Sequence, residues 1–474
     1  MDRLGPVPRR RASPGRLALT SVLLVVFVSW GDVSGAEDPV PAPGPQVERA
    51  AEEDTSARGQ VHAKGGEESE GTEKSGEEET EGAQEDDETD LTEIKQLNPL
   101  KVRWDAGLHI HGKWDYLHVK IAGDVQNDTA GYVNTESAEE FLGTAIESGV
   151  EWRRVRAYAE GRLFRHVEFK LRYDFTAGNP PNLKDAFLRI VHLPIPDVGL
   201  TAGRFKAPLG LDGFTGADDL AFMERSLLSE AFLPSRNTGL MLHGSLPERR
   251  IRWSFAVLQP EANNIDLSNT DNLGWSARFA YAFTRGKQAS TLVHLGADFW
   301  RRNVSDSIQY ATSPESHLAP FFVDTGDIPA ETSDITVFES AVQKGRVTFE
   351  SEFALAKVNH TGLDSLLFHG FYAQASWFLT GEKRPYRTDR GTFTRPYPKR
   401  SIRDGGTGAM ELGFRFSRID LDDQGFLGGT LNDWSVGFNW YPTYHLKVMF
   451  NGILADLKGA KPVGILQMRL QVAF

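Results

Sequence analysis

The residues of this 474-residue chain best placed to do chemistry are basic. Trp152-Arg-Arg-Val-Arg156 is the densest cluster, and Lys170 and Arg172 follow soon after. Side chains alternate along a strand, so Arg154 and Arg156 share one face and Val155, Ala157 and Ala159 the other. Lys170 and Arg172 share a face in the same way. Guanidinium groups bind phosphate-type oxygens in bidentate fashion, and such a row forms a cationic wall for anions. The competing reading is compensated charge, because Glu160, Glu168 and Asp174 fall on the same faces. Segment 207–235 holds a second group: Asp212, Asp218, Asp219, Glu224 and Arg225, with Phe214, Phe222 and Met223. Glu224 and Arg225 either line a constriction or pin the segment to a wall by an ion pair; pinning is the stronger expectation.

Other chemistries find little support. The chain has no cysteine, which excludes disulfides, thiolate metal sites and a Cys nucleophile. There is no Gly-x-Ser-x-Gly elbow, no phosphate-cradling Gly-Lys-Ser/Thr loop and no His-Glu-x-x-His, so neither an enzyme nor a cofactor is expected. His109-Ile-His111 puts two imidazoles on one strand face with His118 close by. They read as rim or pore histidines, and no metal is assigned. Asp420-Leu-Asp-Asp-Gln-Gly425 starts like a calcium loop, but Leu431 stands where its closing Glu belongs. No basic tract with interleaved aromatics suggests nucleic acid.

The elements that position these residues are strands. In the last eleven residues Leu466, Met468, Leu470, Val472 and Phe474 alternate with Gln467, Arg469, Gln471 and Ala473. One face suits lipid and the other water, over about the length of a tilted membrane-spanning strand. The pattern recurs, for example in Val167–Phe175, Trp275–Phe283 and Trp434–Trp440. Strands are expected near 102–121, 147–161, 163–175, 184–191, 198–206, 236–246, 251–259, 273–284, 289–301, 334–342, 345–357, 364–380, 409–419, 431–441, 443–455 and 464–474. Their connections alternate long and short, as in a barrel with long extracellular loops and short periplasmic turns. Residues 381–408 break that rule: either they contain a missed strand or they form a periplasmic excursion. The expected fold is all-β, a 16-stranded antiparallel transmembrane β-barrel over 97–474, whose size leaves a water-filled lumen.

Two zones precede the barrel. Arg3, Arg9, Arg10, Arg11 and Arg16, an apolar run from Leu17 to Trp30, and Ser34-Gly35-Ala36 read as a signal peptide over 1–36. Residues 37–96 are Pro-rich, then Glu/Gly/Ser-rich, and read as a disordered acidic periplasmic linker. The net charge of −13 belongs to these zones: 22 of the 65 acids but 10 of the 52 bases lie in residues 1–96, leaving the barrel near neutrality. A bacterial outer-membrane location follows, with outer-membrane lipid as surroundings.

Several motifs resemble the phosphate-selective porin O/P family: Arg153-Arg-Val-Arg156, Leu183-Lys-Asp-Ala-Phe187, Gly203-Arg-Phe-Lys-Ala-Pro208, Phe222-Met-Glu-Arg-Ser226, Pro234-Ser-Arg-Asn-Thr-Gly239, Leu379-Thr-Gly-Glu-Lys-Arg-Pro-Tyr386 and Glu411-Leu-Gly-Phe-Arg-Phe-Ser-Arg-Ile-Asp420. The resemblance implies a homotrimeric porin whose wall arginines and loop lysine draw anions inward. Arg153 and Arg154 match the double-arginine position, and Lys206 matches the lysine opening the loop. Ala207 stands where the family usually carries Glu. The expected anion path for phosphate, polyphosphate or chloride is thus Arg153, Arg154, Arg156, Lys170, Arg172 and Lys206. The expected constriction residues are Phe222, Glu224, Arg225 and Arg236. A general or sugar-type porin with little charge selectivity is the alternative that the near-neutral barrel favours. A barrel enzyme and an envelope tether are more distant ones.

Overall fold

The computed structural model describes residues 100–474, apart from 113–115, 177–181, 192, 194, 196, 247–249, 260–272, 286–290 and 363. The leader (1–36) and the linker (37–96) lie outside the described residues.

Sixteen strands form the wall: β1 (Leu117–Val133), β2 (Gly149–Leu163), β3 (Val167–Asp174), β4 (Asn182–Ile190), β5 (Val198–Lys206), β6 (Arg236–Ser245), β7 (Ile251–Gln259), β8 (Gly274–Arg285), β9 (Thr291–Asn303), β10 (Ile328–Lys344), β11 (Val347–His360), β12 (Leu366–Phe378), β13 (Ala409–Asp423), β14 (Phe426–Tyr441), β15 (Leu446–Leu457) and β16 (Val463–Ala473). Each pairs antiparallel with its chain neighbours, and β16 closes on β1 from Gly464↔Val133 to Ala473↔Asp124. Closure leaves no sheet edge, which a membrane demands of strands. The faces are inverted relative to a soluble core. Leu466, Met468, Leu470 and Phe474 are exposed outward, while Gln467, Arg469 and Gln471 are buried inside.

The first strand is displaced from its expected place at 102–121. Those residues instead form a short hairpin, Lys101–Trp104 against Leu108–His111, turning at Ala106 and Gly107 with positive φ. Its second strand pairs with His118–Ile121 of β1. Residues 122–133, expected as loop, are membrane-spanning strand. Several other strands run a few residues longer than their alternation suggests, β10 most of all.

Of the register shifts in the wall, two fall among the basic residues. The β1–β2 register shifts between Gln126↔Arg154 and Asn127↔Trp152, leaving Arg153 extra. The β3–β4 register shifts between Arg172↔Asp185 and Tyr173↔Leu183, leaving Lys184 extra. A bulge sets two residues opposite one, so consecutive side chains can point the same way. Arg153 and Arg154 accordingly both reach Glu224 inside the barrel.

Segment 379–408 is an excursion at the end carrying the short turns and holds no missed barrel strand. It carries a small hairpin, Tyr386–Arg387 against Thr392–Phe393, and a turn of 3-10 helix at Ile402–Asp404. It folds back into the lumen: Phe393 is fully buried beside Leu211, Leu292 and Ala341. Arg278 of β8 donates to the carbonyls of Arg390 (3.2 Å) and Gly391 (3.1 Å), and Gln343 of β10 to that of Arg384 (2.7 Å).

Candidate ion path

The loop joining β5 to β6, residues 207–235, also enters the lumen, carrying two short helical turns, α1 (Leu211–Phe214) and α2 (Leu227–Phe232). Wall side chains hold it by its backbone carbonyls, one after another. Lys206 donates to Thr215 (2.6 Å), Gln471 to Asp218 (3.1 Å), Lys447 to Leu220 (2.6 Å), Asn439 to Ala221 (2.7 Å) and Arg415 to Glu224 (3.1 Å). Arg469 bonds the carbonyl of Met223. A carbonyl deprived of water needs such a donor, and charged donors make the stronger bonds. At the start of α1, Glu352 accepts from the amides of Leu211 (2.6 Å) and Asp212 (2.9 Å).

Two side chains of the loop lock it further. Glu224 receives Arg153 in bidentate fashion (2.9 and 3.0 Å), Arg154 at 3.5 Å and Arg469 at 2.5 Å. Phe222 is buried over Gly413 and Gly437, a cross-strand pair of β13 and β14. A Cβ at either glycine would sit 3.0–3.2 Å from the Phe222 ring, so the missing side chains form its socket. Arg415 caps the ring at 4.4 Å.

The two inward segments meet. Arg384 of the excursion donates to the carbonyl of Asp219 (2.6 Å) and pairs with Glu350 of β11 (2.5 Å). The backbone of Arg395 donates to Asp219 (3.0 Å), and its guanidinium lies 3.9 Å from Asp218. Burial pushes the Asp219 carboxyl up, to about 6, with the Asp218 charge adding to the effect. Burial acts on Asp218 too, but Arg395 and Arg172 outweigh it and hold Asp218 well below the usual carboxylate range. Asp219 therefore loses its charge as pH falls through about 6, while Asp218 keeps its own. Anion preference should rise between pH 7.5 and pH 5 in a bilayer recording. Asp219→Asn should abolish that rise; an unchanged titration in the variant would count against Asp219 as its source.

The anchors of both segments draw heavily on β8–β16, among them Arg278, Glu350, Glu352, Arg415, Asn439 and Lys447. The β2–β6 arc is different. Arg156 pairs with Asp174 (2.7 Å), Arg236 with Asp185 (2.9 Å), and Arg172 lies 3.8 Å from Asp124 and 3.9 Å from Asp185. Lys184 and Arg204 join the same cluster. Asp218 of the loop also faces Arg172 and Arg156, so four carboxylates meet five cations, an excess of one positive charge. Deeper in, Lys170 pairs with Glu160 (2.6 Å), and Lys170 and Arg172 lie over the Tyr158 ring (4.7 and 4.6 Å). At the end from which the loop enters lies a cavity of about 260 Å³ between the loop and the wall. Lys184, Arg204, Arg236 and Arg302 line it, and no carboxylate does.

The sequence-expected residues divide accordingly. Arg156, Lys170, Arg172 and Arg236 lie together on the basic arc. Arg153, Arg154 and Lys206 hold the loop; Arg225 braces it internally, donating to the carbonyls of Asp212 (3.1 Å) and Thr215 (2.8 Å). Glu224 ties the loop to Arg153 and Arg469 of the wall. Lys184, Arg204 and Arg302 were not singled out in the sequence. Lys184 lies inside the Leu183–Phe187 motif, and only the bulge register gives it a role.

The chain resembles known proteins over most of its length. It is 30% identical over 362 residues to an uncharacterized protein of Caulobacter vibrioides, covering 73% of this chain and 70% of that one. It is 19% identical over 391 residues to Porin O of Pseudomonas aeruginosa, covering 73% and 85%. Among solved structures, the loop L8 deletion mutant of OmpT, an outer membrane protein of Vibrio cholerae, superposes with a TM-score of 0.50 at 10% identity, over 76% of this chain and 100% of that one. That likeness is one of fold. Residues 119–474 match the family described as phosphate-selective porin O and P, so this outer-membrane barrel with its inward loop belongs to that porin family.

Proposed function

We propose that the chain is a passive outer-membrane channel for small anions, with phosphate-type oxyanions as preferred solutes, and that it has no enzymatic role. The observation that carries this is the asymmetric filling of the lumen. Both inward segments fasten largely to the β8–β16 side, leaving a path along the β2–β6 arc, where cations outnumber carboxylates. A hydrated anion exchanges part of its shell for guanidinium and ammonium donors there. Its release is quick because Asp174 and Asp185 compete for the same cations. The four cations of the cavity behind the loop form the entry to this path. Export by the segment 1–36 and assembly as a homotrimer belong to the same reading, the latter resting on family membership.

The test is the zero-current potential of the purified protein in a planar bilayer under a KCl gradient, with phosphate then titrated in. A chloride-directed potential, with phosphate blocking the current, is expected. A cation-directed potential or one near zero would overturn the anion reading and favour a general porin. Chloride selectivity without block would remove phosphate alone.

A further inference from the structure

The hairpin at Lys101–His111 brings together three histidines that the ion path does not use. His109 and His111 sit two apart on one strand face, and His111 is the cross-strand partner of His118 on β1. Their rings stack nearly parallel, with centroids 4.4 Å apart for His111–His118 and 5.4 Å for His109–His118. One ring nitrogen from each lies within 4.8 Å of the others, and all three side chains are half-buried.

The hydrogen bonds give a protonation pattern. His109 Nε2 lies 2.8 Å from the carbonyl of Asp105, which only accepts, so Nε2 carries the hydrogen and Nδ1 keeps its lone pair. That Nδ1 faces His118 Nε2 at 3.2 Å. Two nitrogens bound to one tetrahedral zinc ion, each about 2.0–2.1 Å from it, stand roughly 3.3 Å apart. A metal-bound imidazole typically donates its other N–H to a carbonyl or carboxylate, the role Asp105 already fills.

We propose that His109, His111 and His118 bind one divalent transition ion of the zinc class at the short-turn mouth of the barrel, with water in the fourth position. His109 binds through Nδ1. His118 Nε2 exchanges its hydrogen for the ion as that ring takes up its Nδ1–H tautomer, so no net proton is released. Two neighbouring cations face the group. Lys120 is the cross-strand partner of His109, and Arg162 that of His118. Arg162 is paired with Glu168 at 2.5 Å, which lowers its opposition to a bound dication. The site would clip the hairpin to β1, where it adds to the wall without belonging to the closed ring. A donor set that is all imidazole among the described residues selects against calcium and magnesium, which take oxygen.

Full-length protein folded in detergent and stripped with EDTA would be titrated with ZnCl2 at pH 7.5 against a chromogenic chelator. One zinc per chain is expected, and His111→Ala with His118→Ala should weaken binding by at least about tenfold, the scale on which even an outer-shell loss acts. His317→Ala, remote from the trio, should bind as the parent does. Heat-dependent gel migration checks that each variant is a folded barrel. Should the double variant fail that check, the single variants His111→Gln and His118→Gln must each show the loss. Absence of stoichiometric zinc binding, or binding undiminished in the folded variants, would overturn the site.

Discussion

Replacing Arg156, Lys184 and Arg236 together by alanine is expected to turn an anion-preferring channel into a cation-preferring one. Asp174 loses its 2.7 Å partner and Asp185 its 2.9 Å partner, so Asp174 faces the path unpaired and Asp185 keeps only the looser contact with Arg172 at 3.9 Å among its ion pairs. A unit charge about 4 Å from an ion contributes about 1 kcal/mol even at the permittivity of water, and more beside a low-dielectric wall. Three such losses amount to a change of at least about tenfold in the chloride-to-potassium permeability ratio, since about 1.4 kcal/mol is a factor of ten. Arg301→Ala serves as control, because that side chain is exposed on the outward row of β9 and paired there with Asp334. If the triple variant kept the parent's reversal potential, the ions would not pass along the β2–β6 arc.

Phe222→Ala is expected to release the inward loop. The ring is a fully buried apolar anchor between loop and wall, and emptying a buried phenylalanine site costs about 3–5 kcal/mol. Single-channel conductance should rise and open-channel noise increase, while the heat-dependent gel shift stays that of a folded barrel. Gly437→Val should produce the same electrical change from the opposite side, because its added methyl groups occupy the socket. Conductance unchanged in both variants would mean that the loop's polar staples hold it alone.

The fold was legible where alternation was strong and the outward face apolar, as in β3, β8 and β16. β1 was hidden because its outward row runs through Asn127, Thr129 and Gly131, which lack the apolar signal of lipid-facing positions. Missing it moved the boundary of the first loop and concealed the hairpin that carries His109 and His111. The inward reach of Arg153 to Glu224 and the place of Lys184 in the cluster escaped for another reason: a bulge changes which way a residue points without changing its type. The excursion at 379–408 could be located as an exception in loop length, but not its inward course. It is held by tertiary contacts such as Arg384 with Glu350, which have no local pattern. The same holds for the carbonyl staples of the loop. Lys206 and Arg154 were visible as cations, yet their partners are set by the register of distant strands. Glu224 was better served by sequence, since an ion pair to the wall was one of the two readings for Glu224 and Arg225, although Arg225 braces the loop internally instead.

Arg469 lies on the last strand, bonds Asp128 of the first in bidentate fashion at 2.7 and 2.6 Å, and reaches Glu224 of the loop. The joint that seals the cylinder therefore also seats the constriction. Its partners are 341 and 245 residues away along the chain, contacts that form late because long loops must close first. Until the final strand is in place, the cluster around Glu224 carries two arginines without the third, and the cylinder is unsealed. A half-built copy is an open sheet, whereas a sealed one already has its filter. Closing the wall and fastening the loop that narrows the lumen thus both draw on the same eleven residues.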